Sequence, residues 1–392
     1  MAKPLDDTNP QIAVVGGSAA GLFTAFLLAR AGRATRVFEG RERIDSAPRT
    51  LIVTERMRQI LGGLGETAVV NEIRKFELYT DGRVARIALR RPDLVIERSA
   101  LLKELAGAAA TAGARIEFGQ KLLGLEHRDQ ALTMVMERAR GGRAEHAPFR
   151  TVVGADGAVS RVAQAAGLPK PRTASLVQAI VNLPEGMTPD TVRVWFIPDD
   201  TPYFYWLIPH SPTEGVLGLI GEDGVHTKAV LERFLEKRHF EPRGFQGARI
   251  PIYTGWTPVR RRLPGGDVYL VGDAASHVKV TTVGGIVTGF RGAVGVSEAI
   301  LNGGSSRKLH ALRFELNTHL LIRSIIHGFT QTHYSHLVDL LNSRTRQDLE
   351  AHTRDEPGGL LFRICLHQPR LLLLGLRALL TGGTFQNSQS SP

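Results

Sequence analysis

The first apolar run, Ile12-Ala13-Val14-Val15, is too short for a helix and is stopped by Gly16 and Gly17, so it predicts a buried strand. Leu22 to Ala31 is apolar enough for a helix packed on a sheet, Gly32 ends it, and Thr35-Arg36-Val37-Phe38 predicts a second strand. Strand, glycine turn, helix and strand within about thirty residues imply a parallel crossover. From Ala68 the pattern changes to short alternating strands, Phe76 to Tyr79 and Val84 to Leu89, then a helix from Arg98 through Ala110 and a strand at Arg115 to Phe118. Val192 to Ile220 holds Trp195, Phe196, Tyr203, Phe204, Tyr205 and Trp206 between turn residues, which predicts an antiparallel meander and a second domain. A buried strand returns at Val268 to Val271, followed by a Gly/Thr-rich loop and a helix through Ile300, and the chain from Ser306 to about Leu380 reads as mostly helical.

Composition narrows the class without choosing a function. With 392 residues, 43% hydrophobic and 22% charged, the chain is a folded globular protein and not a disordered or fibrous one. The net charge of +11 suits nucleic acid, an anionic membrane surface or phosphate-bearing ligands. The cations are scattered, Arg260-Arg261-Arg262 being the densest run, and no zinc-finger spacing accompanies them, so nucleic acid is not an expected partner. The only cysteine, Cys365, excludes an intrachain disulfide and fits a reducing compartment; with a polar first ten residues, the expectation is a cytoplasmic protein. No apolar stretch approaches the roughly 18 residues of a spanning helix. Leu360 to Leu380 mixes leucines with Arg363, Arg370 and Arg377, which fits either a surface-lying membrane contact or a helix pair packed on the protein and broken at Pro369. His327, His333 and His336 lack a completing carboxylate or cysteine, so no metal site is expected. Nothing in the pattern defines an oligomeric state.

A dinucleotide fingerprint requires a tight turn, close backbone approach to a pyrophosphate, and an acidic group for ribose hydroxyls at the end of the second strand. Gly16, Gly21 and Glu39 take those places, with Ser18 at the middle glycine position, Ala19 and Ala20 completing the tight turn before Gly21, and Gly40 following Glu39. The helix N-terminal amides are the expected pyrophosphate donors.

Two later segments identify the dinucleotide. Val152-Val153-Gly154-Ala155-Asp156-Gly157, with Ser160 and Arg161, resembles the internal Asp-Gly motif of flavin-dependent hydroxylases, and Val271-Gly272-Asp273-Ala274-Ala275 resembles their third motif, whose Asp contacts the ribityl chain. Glu97-Arg98-Ser99 resembles the helix start whose Arg lies beside the cofactor. His277-Val278-Lys279-Val280-Thr281-Thr282-Val283-Gly284-Gly285-Ile286 resembles the V-K-P-T-T-G-G-G-I loop of the geranylgeranyl reductase family, and Phe204-Tyr205-Trp206-Leu207-Ile208-Pro209 resembles its Y-x-W-x-F-P motif. Val280 replaces the loop proline, Val283 a glycine and Phe204 a tyrosine.

The resemblance implies an α/β protein: a Rossmann-like FAD-binding domain (10–75, 98–168 and 263–305), a substrate domain with an antiparallel sheet (76–97 and 169–262) and a helical C-terminal extension (306–392). It implies bound FAD, reduced by transient NAD(P)H or a redox protein, acting on carbon–carbon double bonds of a small apolar, isoprenoid-type substrate. Phe204 and Trp206 are its expected substrate contacts, and Gly284, Gly285 and Ile286 place a helix N-terminus at the flavin. Tyr205, His277 and Lys279 are proton-donor candidates by residue type. Three alternatives stay open: aromatic hydroxylation, which uses the same FAD motifs; halogenation, for which Lys75 or Lys279 has the required residue type; and a flavoprotein module without catalysis.

Overall fold

A computed structural model describes residues 11–44, 49–128, 131–138, 141–371 and 373–375. In chain order its regular elements begin with β1 (Gln11–Val15), α1 (Ala19–Arg30), β2 (Thr35–Phe38), β3 (Thr50–Val53), α2 (Arg56–Leu61), β4 (Val69–Thr80), β5 (Arg83–Glu97), α3 (Arg98–Thr111) and β6 (Arg115–Glu117). There follow β7 (Gln120–Arg128), β8 (Ala131–Arg138), β9 (Arg143–Gly154), α4 (Arg161–Ala165), β10 (Arg172–Asn182), β11 (Thr191–Trp195), β12 (Tyr205–Pro209), β13 (Glu214–Gly221), α5 (Gly224–Lys237) and β14 (Pro242–Ile252). The chain closes with β15 (Arg260–Leu263), β16 (Gly266–Leu270), α6 (Ile286–Leu301), α7 (Arg307–Ile326), α8 (Gln331–Asp339), α9 (Ser343–Ala351) and α10 (Pro357–His367).

Two eight-stranded sheets organise the chain. The first runs β15-β16-β9-β1-β2-β6, with β16, β9, β1, β2 and β6 parallel and β7 and β8 attached as antiparallel hairpins. The inner parts of its central strands are apolar because helices cover both faces; Ala13, Val14, Val152 and Val153 are fully buried with Leu22 of α1 and Phe290 of α6. The second runs β14-β10-β13-β12-β11-β4-β5-β3 and is antiparallel except between β11 and β4.

The second sheet starts earlier than the expected boundary at 76, since β3 and most of β4 fall in 10–75. Conversely, β15, all but Leu263 of which falls in the expected substrate segment 169–262, is an edge of the first sheet. The alternating pieces at Phe76 and Val84 are the tips of strands twelve and fifteen residues long. Register shifts between Val69 and Asn71 and between Ile73 and Lys75 break the period of two that would have marked β4 as one strand. The C-terminal helices join the two sheets: Leu309 of α7 packs in the core of the first, and Leu312 and Leu316 in that of the second.

Candidate functional site

The fingerprint turn is built from backbone constraints. Gly16 has φ +106°, a left-handed conformation that disfavours any side chain. Gly21 lies where α1 crosses β1 and β9; a Cβ there would stand 2.4 Å from the Gly16 carbonyl oxygen. Ser18 needs no such freedom: at φ −76° it is the N-cap of α1, its hydroxyl accepting from the Gly21 N–H at 3.2 Å. The serine thus replaces a glycine and stabilises the helix end. Glu39, after β2, accepts from the N–H of Gly17 at 2.6 Å and of Arg41 at 2.9 Å, which holds its carboxylate at the turn, with Gly40 against Lys121.

Between this turn and the second sheet lies a cavity of about 490 Å³. One end is lined by Ser18, Ala19, Ala20, Arg49, Arg98, Gly157, Gly272, Asp273, Gly284, Gly285 and Ile286; the other by Phe76, Leu78, Val192, Val194, Phe204, Trp206 and Ile208. The structure therefore brings together most of the cofactor residues expected from the sequence and both expected substrate contacts. Gly16, Gly21, Glu39, Gly40 and Asp156 are not in that lining. The Asp156 carboxylate is engaged by Ser160 Oγ at 2.6 Å and by the N–H groups of Arg161 at 2.7 Å and Val162 at 3.2 Å, so it caps α4, and it is Gly157 that faces the cavity.

The first end suits FAD. The first-turn amides of α1 open onto it beside two arginines. Arg98 begins α3, whose N-terminus Glu97 caps through the N–H groups of Ser99 and Ala100. Arg49, missed by the sequence reading, has a buried Nε with no partner among the described residues, as expected of a donor waiting for a ligand acceptor. Burial raises the Asp273 carboxyl above its ordinary range, and Arg49 and Arg98 pull it back. Gly285 is the N-cap of α6, so the positive end of a sixteen-residue helix points to the same place.

The three proton-donor candidates separate. Tyr205 is removed from the role: neighbours on a strand face opposite ways, and its ring stacks on Phe234 of α5 at 4.0 Å while its hydroxyl donates to Asp200 at 2.9 Å. Phe204, Trp206 and Ile208 are the residues of that segment that face the cavity. His277 is also removed: it is fully buried behind the loop, stacked on Trp256 at 5.7 Å, with neither ring nitrogen partnered among the described residues. Burial lowers its pKa to about 3, so the ring is neutral. Lys279 does line the cavity, but its Nζ is bound to Asp355, which also accepts from the Thr54 hydroxyl. Lys75, the other halogenation candidate, pairs with Asp190 at 3.2 Å on the surface of the second sheet.

Asp355 and its neighbour Arg354 had no assigned role in the sequence pattern. Arg354 pairs with the buried Asp93 of β5 and stacks over Phe76 at 5.2 Å. Thr281 and His319 of α7 are 2.7 Å apart. The cofactor loop is thereby tied to β5 and to the C-terminal helices. Within it, Val283, standing where the family loop has glycine, takes φ +52°, a conformation costing a β-branched residue roughly 1–3 kcal/mol. Among the described residues no group of His, Cys, Asp and Glu forms a metal site.

Fold and site together are those of an FAD-dependent oxidoreductase, and the comparisons agree. The chain belongs to the FAD binding domain family, whose model matches residues 9–310. It is 27% identical over 216 residues to digeranylgeranylglycerophospholipid reductase 1 of Methanothermobacter thermautotrophicus, a match covering 53% of this chain and 54% of that protein. The chain thus spans about half the length of that relative. Among solved structures, a geranylgeranyl bacteriochlorophyll reductase-like protein of Thermoplasma acidophilum superposes with TM-score 0.76 at 19% identity, covering 94% of this chain and 99% of that one. The p-nitrophenol 4-monooxygenase of Pseudomonas putida gives TM-score 0.62 at 17% identity, covering 95% and 98%; at such identities both show a shared fold.

Proposed function

We propose that this protein reduces carbon–carbon double bonds in an apolar, isoprenoid-type substrate. The observation that carries this is the hydrocarbon lining that begins where the cofactor end stops. Phe204, Trp206, Val192, Val194, Ile208 and Ile220 make this end mostly hydrocarbon, with Tyr203, Tyr334 and Arg323 as polar members of the wall, and the one amide there, Gln178, is already paired with Gln246 at 2.8 Å. Two sequence relatives bearing the name digeranylgeranylglycerophospholipid reductase, 27% and 29% identical, support the same substrate class.

FAD, when bound, supplies the hydride, its electrons coming from NAD(P)H or a small redox protein. The chain contributes placement. The α6 N-terminus behind Gly284 and Gly285 stabilises negative charge on the cofactor, the Phe204 and Trp206 rings align the chain of the substrate, and solvent water supplies the proton. Lys279, held by Asp355, fixes the loop between these parts.

The test is anaerobic. Flavin reduced with dithionite is mixed with polyprenyl compounds of increasing length; reoxidation of the flavin with appearance of the saturated product is expected. In a parallel aerobic assay, substrate-dependent oxygen consumption with a hydroxylated product would replace this reading with a monooxygenase.

A further inference from the structure

Large apolar side chains left exposed by the fold gather on the C-terminal helices: Phe314 (70% exposed) and Leu321 (54%) on α7, Phe362 (71%) and Leu366 (66%) on α10, and Leu373 (57%) beyond it. Spacings of seven and four residues put each pair on one helix face. The two faces adjoin, because a Cβ on Gly358 would lie 3.5 Å from the Phe314 ring and one on Gly375 would lie 3.0 Å from Ile325. The result is an apolar strip of grouped side chains on neighbouring helices rather than the singly scattered leucines usual on a monomer surface.

The exposed charges around the strip are mostly positive. Arg307, Lys308, Arg313, Arg344, Arg363 and Arg370 are exposed in this region, against Asp339 and Glu356. Asp339 is already paired with Arg83 at 3.1 Å, and Arg363 reaches Asp348 only at 4.0 Å. We propose that this outer face of α7 and α10 docks on an anionic lipid bilayer, with phenylalanines and leucines entering the headgroup boundary and arginines meeting phosphates. A second copy of the chain would set these arginines against each other. The stretch 376–392 brings Arg377 and no acidic residue, so it does not neutralise them either. None of the described helices is long and apolar enough to cross a membrane, which makes the contact a surface one.

The same α7 has Arg323 and Ile326 in the cavity wall, so a single helix separates the bilayer from the apolar end of the site. That link rests on the substrate class proposed above, whereas docking is measured without any turnover. The FAD-loaded full chain is sedimented with phosphatidylglycerol and with phosphatidylcholine vesicles at low and high salt. Salt-sensitive binding to phosphatidylglycerol alone is expected, falling about tenfold or more in Phe314→Ser/Phe362→Ser and in Arg363→Gln/Arg370→Gln. These positions are solvent-exposed, so FAD content and melting temperature serve as folding controls.

Three results would overturn docking: no binding by the wild type at low salt, undiminished binding by both variants, or a concentration-dependent dimer abolished by Phe362→Ser. Vesicle binding that persists while no polyprenyl compound reoxidises the flavin would leave docking intact and remove only the reductase reading.

Discussion

The fingerprint turn and the loop at 277–286 face the same cavity but are held by opposite means. The turn is local and almost wholly backbone: Gly16, Ser18, Gly21 and Glu39 lie within 24 residues and secure one another through N–H groups and close packing. The loop is secured by ion pairs and hydrogen bonds from far along the chain, with Lys279 on Asp355, Arg354 on Asp93, and His319 beside Thr281. A local device can be read from a dozen residues and broken by a single methyl group. A long-range one is invisible in its own segment and fails when any distant partner is lost.

The largest expected effect on cofactor binding lies at the turn. Gly21→Val places a side chain against the Gly16 carbonyl and Ala155, neither of which can rotate away. Overpacking of this kind costs roughly 1–3 kcal/mol or more, and it also displaces the α1 N-terminus, so the purified variant should carry no flavin absorbance. Full FAD occupancy would show that the close approach is dispensable.

At the loop the expected loss is thermodynamic before it is chemical. Lys279→Met or Asp355→Asn leaves a buried partner uncompensated and should cost about 3–5 kcal/mol, whereas Lys279→Met/Asp355→Leu should recover most of it. Urea denaturation of the three variants, with FAD affinity measured alongside, decides this. If the single changes cost no more than a surface pair, about 1 kcal/mol, the ion pair does not hold the loop.

How much the sequence disclosed follows the same division. The β1–α1–β2 crossover, the Asp-Gly segment and the strand before Asp273 were legible because period, turn chemistry and motif coincide within short windows. His277 and Lys279 attracted attention by residue type, yet their states depend on Trp256, Gly292 and Asp355, which no local pattern announces. Arg49 was overlooked because a lone arginine in a loop has no periodicity to mark it. The length of β4 was hidden by its two register shifts. Tyr205 is different: its placement was available from the two-residue alternation of a strand, since Phe204 and Trp206 on the cavity side force it to the other.

Acid sharpens the contrast further. Burial holds His277 and His319 at about 3, below the ordinary histidine value near 6.5. The unfolded chain therefore binds these protons first, and the stability they contribute, full above about pH 6.5, is lost as pH falls toward 3. Each adds about 1.4 kcal/mol per pH unit to the slope in that window. His319→Gln should remove one such increment from a plot of unfolding free energy against pH, and an unchanged slope would mean that His319 is protonated in the native protein. Asp355 acts lower: burial pushes it up, but Lys279 with hydrogen bonds from Lys279 and Thr54 outweighs this and holds it at about 2, so its contribution disappears only as pH falls from about 4 through 2.

The smallest effect on stability, at Tyr205, belongs to a pair of changes that separates the two faces of β12. Tyr205→Phe removes one hydrogen bond, to Asp200, on the side that packs against α5, and should cost about 1 kcal/mol of stability with no change in substrate handling. Trp206→Ala acts on the opposite side. It removes a ring that lines the cavity beside Phe204, 6.2 Å away centroid to centroid, and lengthens the apolar end. Its signature is a shift in the length of polyprenyl compound that best reoxidises reduced flavin, accompanied by a destabilisation of about 3–5 kcal/mol. Because the residues are adjacent in sequence, a generally disturbed strand would alter both properties in both variants. Opposite signatures require that the cavity face and the packing face of β12 act independently, and a Tyr205→Phe protein with altered substrate preference would refute that separation.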